Sequence, residues 1–236
     1  MNVMIIDTET ANDVSQPLPY DIGYAILDTE TDEILVERSF VVAEIFFDKE
    51  LMENSYFAEK IPAYWSDIRN GKRIIKGLWN IRKTLHADMK EYHVSKVGAY
   101  NMGFDKRATN NDARFITGSF LRWFFPYRTK FFCIWNMACS SILNTSHYIN
   151  YAIENGFVSD KGNISTSAEN AYRYIINDPT FEESHTGLED VRIEIEIMKA
   201  VFDSEMEYDD KIYSACWRIP NKLRKQMELE EIFAEA

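Results

Sequence analysis

The stretch Val3-Met4-Ile5-Ile6-Asp7-Thr8-Glu9-Thr10 decides the fold. Four apolar residues run directly into two carboxylates spaced by one residue. Side chains two apart on an extended strand point to the same face. Asn2 to Ile6 therefore reads as a buried strand. If the extended conformation persists through Thr8, Asp7 and Glu9 project together from its end. Paired oxygens of that kind suit a hard divalent cation. The tetrapeptide recurs as Asp28-Thr29-Glu30-Thr31, but there it lies among Asp32 and Glu33 before another strand and reads as a solvated hairpin turn.

Outward from the first strand, Tyr20 to Leu27 reads as a second strand and Glu33 to Val42 as a third, joined by the polar turn Asp28 to Asp32. Together they form a three-stranded meander. From Lys49 to His93 the pattern becomes helical. Ile74, Ile75, Leu78, Ile81, Leu85 and Met89 recur at three- and four-residue spacing around an outer face of Lys76, Arg82, Lys83 and Lys90. Lys96 to Tyr100 returns to strand character, and Asp105 to Ile116 is helical again, an α/β order. Thr166-Ser167-Ala168-Glu169 has capping-box spacing for a helix that must stop before Asp178-Pro179. Thr186-Gly187-Leu188-Glu189 repeats the signature and opens a second helix. His185 then stands just outside that helix and Asp190 about one turn inside it. Asn221 to Phe233 reads as a last helix with Leu223, Met227 and Phe233 as its apolar members.

With 236 residues, 46% of them hydrophobic, the chain can bury a substantial core. No run reaches the roughly 18 apolar residues of a membrane span, and the start of the sequence has neither a basic leader nor a cleavage site, so the expectation is a soluble, cytoplasmic protein without membrane contact. Cys133, Cys139 and Cys216 form no CxxC pair and read as reduced thiols. The net charge of −12 conceals an asymmetry: residues 1–60 carry −11, residues 61–140 carry +9, and residues 141–236 carry −10. A polyanion would meet the basic middle block, while the acidic ends argue against tight duplex binding. Arg122-Trp123-Phe124-Phe125-Pro126-Tyr127-Arg128 interleaves cations with rings as single-strand binding surfaces do, although core packing is the commoner role for most such rings. Lys106, Arg107 and Arg114 could meet a phosphate backbone.

Asn101-Met102-Gly103-Phe104-Asp105 follows a short strand and presents an acid near a helix start, where it could be a helix cap or a ligand. His185 has an acidic pattern beside it that His86, His93 and His147 lack. Taken in order, Asp7-x-Glu9, Asn101-x-x-Phe104-Asp105, and His185 followed five residues later by Asp190 resemble the three motifs of the DEDDh branch of the 3′-to-5′ exonuclease superfamily. That group includes polymerase proofreading subunits, oligoribonuclease and RNase T. The resemblance runs from Val3 to Phe202, with Pro19 to Gly23 and Cys133 to Ala138 as further landmarks. Ala11-Asn12 stands where many members have Thr-Gly.

The resemblance implies a ribonuclease H-like α/β fold, its mixed central sheet opening with the meander and flanked by helices. It implies an exonuclease domain over residues 1–203, with 204–236 as a C-terminal extension packed on the same domain. It also implies two divalent ions, Mg²⁺ or Mn²⁺, held by Asp7, Glu9, Asp105 and Asp190, with Asp7 bridging the two. Neutral His185 would act as general base, and Thr8, Thr10, Asn101 and Phe104 would contact substrate. The expected partner is the 3′ end of single-stranded DNA or RNA, released as 5′-mononucleotides. A proofreading role would require a separate polymerase. The competing reading is a weakly active or inactive exonuclease-fold module docking a polymerase. A glycosidase with paired carboxylates would explain neither His185 nor the basic block.

Overall fold

The computed structural model describes residues 1–53, 55 and 58–234, with the side chains of 231–234 outside the described set. The apolar role expected of Phe233 therefore lies outside the described residues. The opening strands are β1 (Asn2–Ala11), β2 (Leu18–Asp28) and β3 (Glu33–Val42). They pair antiparallel in sequence, which is the expected meander. β4 (Ile74–Lys76), β5 (Lys96–Ala99) and β6 (Phe131–Cys133) complete a six-stranded sheet of order β4-β3-β2-β1-β5-β6. β4 runs parallel to β3 and β5 parallel to β1, so the sheet is mixed. The core strands are apolar on both faces: Met4, Ile5, Ile6, Ile22, Tyr24, Ile26 and Leu27 are fully buried, as helices on both sides of a sheet require.

Helices punctuate the strands as α1 (Ala43–Phe46), α2 (Lys49–Glu53), α3 (Ile61–Arg69), α4 (Leu78–Glu91) and α5 (Met102–Thr117). The single amphipathic helix expected from Ile74 onward is corrected here. Ile74 and Ile75 belong to β4, opposite Phe40 and Val41 of β3, and the helix begins only after Gly77. The backbone at Gly77 is extended, and Glu44 caps the new helix by accepting from Leu78 N at 2.9 and 3.2 Å. A Cβ on Gly77 would stand 2.9 Å from that carboxylate, so the break is built into the packing.

The chain forms two compact units, Met1–Phe131 with Ser184–Arg192, and Phe132–Glu183 with Ile193–Ala236. The second unit is helical: α6 (Ile134–Ser140), α7 (Ser146–Glu154), α8 (Ala168–Ile176), the later turns of α9 (Gly187–Asp203), and α10 (Arg218–Ala234). The α8 cap is Ser167, whose hydroxyl accepts from Asn170 N, rather than Thr166 as the capping-box spacing suggested. Thr166 instead accepts from the indole of Trp135 at 2.9 Å. α10 packs on α6 and α7, and its Asn221 bridges both backbone groups of Ile164. Cys133, Cys139 and Cys216 are buried and form no disulfide among the described residues. Among the described residues, no helix is long and apolar enough to cross a membrane.

Candidate active site

β1 does stay extended through Thr8 and Glu9, pairing Asp7 with Gly23, Thr8 with Ile22 and Glu9 with Asp21. A bulge follows between Glu9 and Thr10. The strand then turns at Asn12, whose φ of 67° is left-handed. Asparagine tolerates that region better than most residues other than glycine, so Asn12 makes the turn without a glycine. Asp28 in the duplicate tetrapeptide is the last residue of β2 rather than part of the turn, which starts at Thr29; it is bonded to the N-terminal ammonium and to Glu30 N.

β5 runs parallel to β1 and leads into α5, so the first turn of α5 starts beside the carboxyl end of β1. Asn101 is the N-cap residue of α5, which removes the capping reading of Asp105. Asp105 lies inside the first turn, 4% exposed, and its Oδ1 accepts the Thr8 hydroxyl at 2.8 Å. Among the expected substrate contacts, Thr8 is thus buried against Asp105. Asn101 is exposed, Thr10 is half-buried, and Phe104 is half-buried under the guanidinium of Arg107 at 5.4 Å.

The third contribution comes from the start of α9. A Cβ on Gly23 would fall 2.2 Å from Gly187 C and Leu188 N. A Cβ on Gly187 would fall 2.8 Å from Gly23 N and 3.3 Å from Asp7 O. Two glycines therefore let the helix end touch the β1–β2 backbone directly. That approach carries His185, at φ 50°, and Asp190 to Glu9. One ligand atom each from Glu9, His185 and Asp190 lies within 4.8 Å of the other two. Among the described residues this is the one acid and histidine group of that compactness, and Asp7 and Asp105 do not belong to it.

A network without any sequence signature of its own fixes this geometry. Buried Asp21, opposite Glu9 on β2, accepts on Oδ2 from Gly187 N at 3.0 Å, from the Tyr64 hydroxyl at 2.6 Å and from Arg73 Nη1 at 3.1 Å. Arg73, whose side chain is 3% exposed, also donates to Ser39 at 3.0 Å, Asp67 at 3.1 Å and Glu189 at 2.9 Å. Thr186 donates to Glu189 at 2.7 Å, so the second capping-box pair does meet, side chain to side chain. Asp21 was visible as a lone acid inside the apolar run Tyr20 to Leu27, whereas nothing in the sequence marked Arg73.

The electrostatics follow from crowding. Burial, then the charges of Asp190 and Asp21, raise the Glu9 carboxyl far above its ordinary range, and the nearby Lys60 ammonium opposes that rise. Burial likewise raises Asp190, while its hydrogen bonds with Glu9, with the backbone of Thr186 and with the Ser184 hydroxyl pull the other way. A divalent cation bound between these two desolvated carboxyls would displace a proton held there. The carboxylate oxygens of Glu9 and Asp190 are donors of the kind that Mg²⁺ or Mn²⁺ takes.

No family model matches the chain, and no curated protein matches it in sequence. Solved structures do match in three dimensions. The nuclease domain of 3′hExo, a DEDDh family member bound to rAMP, is similar at a TM-score of 0.54 and 14% identity over 89% of this chain and 96% of that one. A 3′-exonuclease that recognises the histone mRNA stem-loop is similar at 0.59 and 14%, over 89% and 84% of the two chains. E. coli Exonuclease I with a dT13 oligonucleotide gives 0.54 and 14%, and there this chain spans 41% of the longer protein. A mixed sheet flanked by helices is common to this chain and those ribonuclease H-like exonucleases. The chain has the fold of the DEDDh 3′-exonucleases.

Proposed function

We propose that this protein is a metal-dependent 3′-to-5′ exonuclease that removes 5′-mononucleotides from single-stranded or short nucleic acid. The observation that carries the reading is the meeting of Glu9, His185 and Asp190 on that fold. Asp7, Glu9, Asp105 and Asp190 would hold two divalent ions. When bound, such ions stabilise the attacking and leaving oxygens of an in-line displacement. Burial of Glu9, Asp105 and Asp190 supports this role, because desolvated carboxylates bind a cation more strongly than hydrated ones. The bond from Thr8 holds Asp105 in one rotamer.

His185 lies half-buried in the loop before α9. Its neutral ring accepts the proton of the attacking water, and its position outside the helix lets it turn toward that water while Asp190 stays fixed. Substrate contacts by Thr10, Asn101 and Phe104, an exonuclease domain over residues 1–203 and a packed extension over 204–236 belong to the same reading. A polymerase partner is not needed for it.

The test is a side-by-side digestion of 3′-labelled single-stranded DNA, duplex DNA and RNA with Mg²⁺ or Mn²⁺. Stepwise mononucleotide release, fastest on single strands and abolished by chelation, is expected. Release from internal positions, or release unaffected by chelation, would overturn the reading.

A further inference from the structure

The segment after α5 is tied back to two helices of the same unit. Arg82 Nε of α4 donates to Trp123 O at 3.0 Å and Phe124 O at 2.8 Å, and Asn110 Oδ1 of α5 accepts Phe124 N at 2.9 Å. Buried Phe124 anchors it, while Trp123 is 56% and Tyr127 90% exposed. The result is a groove of about 540 Å³ containing Arg82, Lys106, Arg122 and Arg128 together with the rings of Trp79, Trp123 and Tyr127. No acidic residue lines it among the described residues, in a chain of net charge −12. The guanidinium groups of Arg82 and Arg122 lie 5.0 and 5.7 Å from the same Trp79 ring. Burial, and then the charge of Arg122, lower the Arg82 pKa, so these cations are crowded and an anion between them would relieve the repulsion. Lys106 directly follows Asp105, so α5 contributes both to the groove and to the proposed metal ligands.

Taken with the exonuclease reading, on which this step rests, we propose that the groove binds a stretch of single-stranded nucleic acid and holds the substrate whose 3′ end is being cut. Phosphates would meet the four cations and unpaired bases would stack on the exposed rings, the combination that single-strand binding surfaces use. An acidic peptide would engage the cations but leave the ring faces unused, and a duplex offers no free base faces to Trp123 and Tyr127.

The test measures binding of 5′-fluorescein-labelled dT20 by anisotropy in EDTA, where nothing is cleaved, and turnover of dT20 and of a thymidine dinucleotide with Mn²⁺. The proteins are the full chain, Arg122→Glu, Trp123→Ala, and Lys161→Glu as an exposed cation outside the groove. Arg122→Glu and Trp123→Ala should each weaken dT20 binding at least fivefold and lower the ratio of dT20 to dinucleotide turnover by a similar factor. For Arg122→Glu, the slope of log affinity against log salt should flatten by about 0.7 for each phosphate that is no longer neutralised. Lys161→Glu should behave as the unaltered chain. Groove variants that bind dT20 like Lys161→Glu, or an unaltered chain that does not bind it, would overturn the groove as a nucleic-acid site and leave a protein partner as its occupant. Groove-dependent binding without turnover of either substrate would instead overturn the exonuclease reading and leave the groove standing.

Discussion

His185 holds a left-handed backbone, at φ 50°, directly before the helix that carries Asp190. Left-handed residues held by their surroundings are concentrated at functional sites. His185→Asn should lower kcat by roughly 10²- to 10⁴-fold, the usual worth of a general base, while Mn²⁺ affinity measured by calorimetry stays close to that of the unaltered protein. Equal loss of both would make His185 a ligand instead. Asp112 of α5 is a different kind of residue, fully buried, with neither carboxyl oxygen hydrogen-bonded among the described residues. Burial, and then the charge of Glu44, raise its pKa well above the ordinary range. The native state therefore keeps this proton to higher pH than the unfolded chain does. The stability linked to it is fully present below the ordinary carboxyl pKa and is lost as pH rises through the raised one. Asp112→Asn should gain on the unaltered protein as pH rises in that window, by up to about 1.4 kcal/mol per pH unit in urea unfolding. A gap that stays constant with pH would show Asp112 to be ionised in the fold.

At the scale of elements, the site depends on how closely the start of α9 meets the β1–β2 backbone. Gly23→Ala would place a methyl group at 2.2 Å from Gly187 C and should destabilise the protein by about 1–3 kcal/mol while separating Glu9 from Asp190. Loss of Mn²⁺ binding together with that destabilisation is the expected result, and a variant of unchanged stability would contradict the packing described. Arg73→Ala should cost about 3–5 kcal/mol in urea unfolding, because it strands Asp21 as an uncompensated buried charge under the α9 terminus. The strands of the meander were legible in the sequence because apolar runs and a polar turn bound them on every side. The start of α4 was not. Ile74 and Ile75 fall in helical phase with Leu78 and Ile81, and only the capping of Leu78 by Glu44, a long-range contact, shows that the helix starts after Gly77.

Across the whole molecule, the three short motifs name Glu9, His185 and Asp190, which the fold brings together, and also Asp7 and Asp105, which lie outside that group. Their support was not legible. Asp21 and Arg73 lie far apart in the chain and act on α9 through space, with no spacing pattern to reveal them. Net charge was equally uninformative, because a chain of −12 keeps an acid-free cationic groove on its middle third. The most direct measurement compares Asp7→Ala with Asp28→Ala, the same substitution in two copies of one tetrapeptide. The assay follows Mn²⁺-dependent release of 5′-mononucleotides from single-stranded DNA by folded protein. Asp7→Ala should abolish release while Asp28→Ala retains it, because Asp7 lies on β1 two residues before Glu9, whereas Asp28 ends β2 opposite Asn2, at the other end of β1. Equal activity of the two variants, or loss in both, would contradict the assignment of the site to β1.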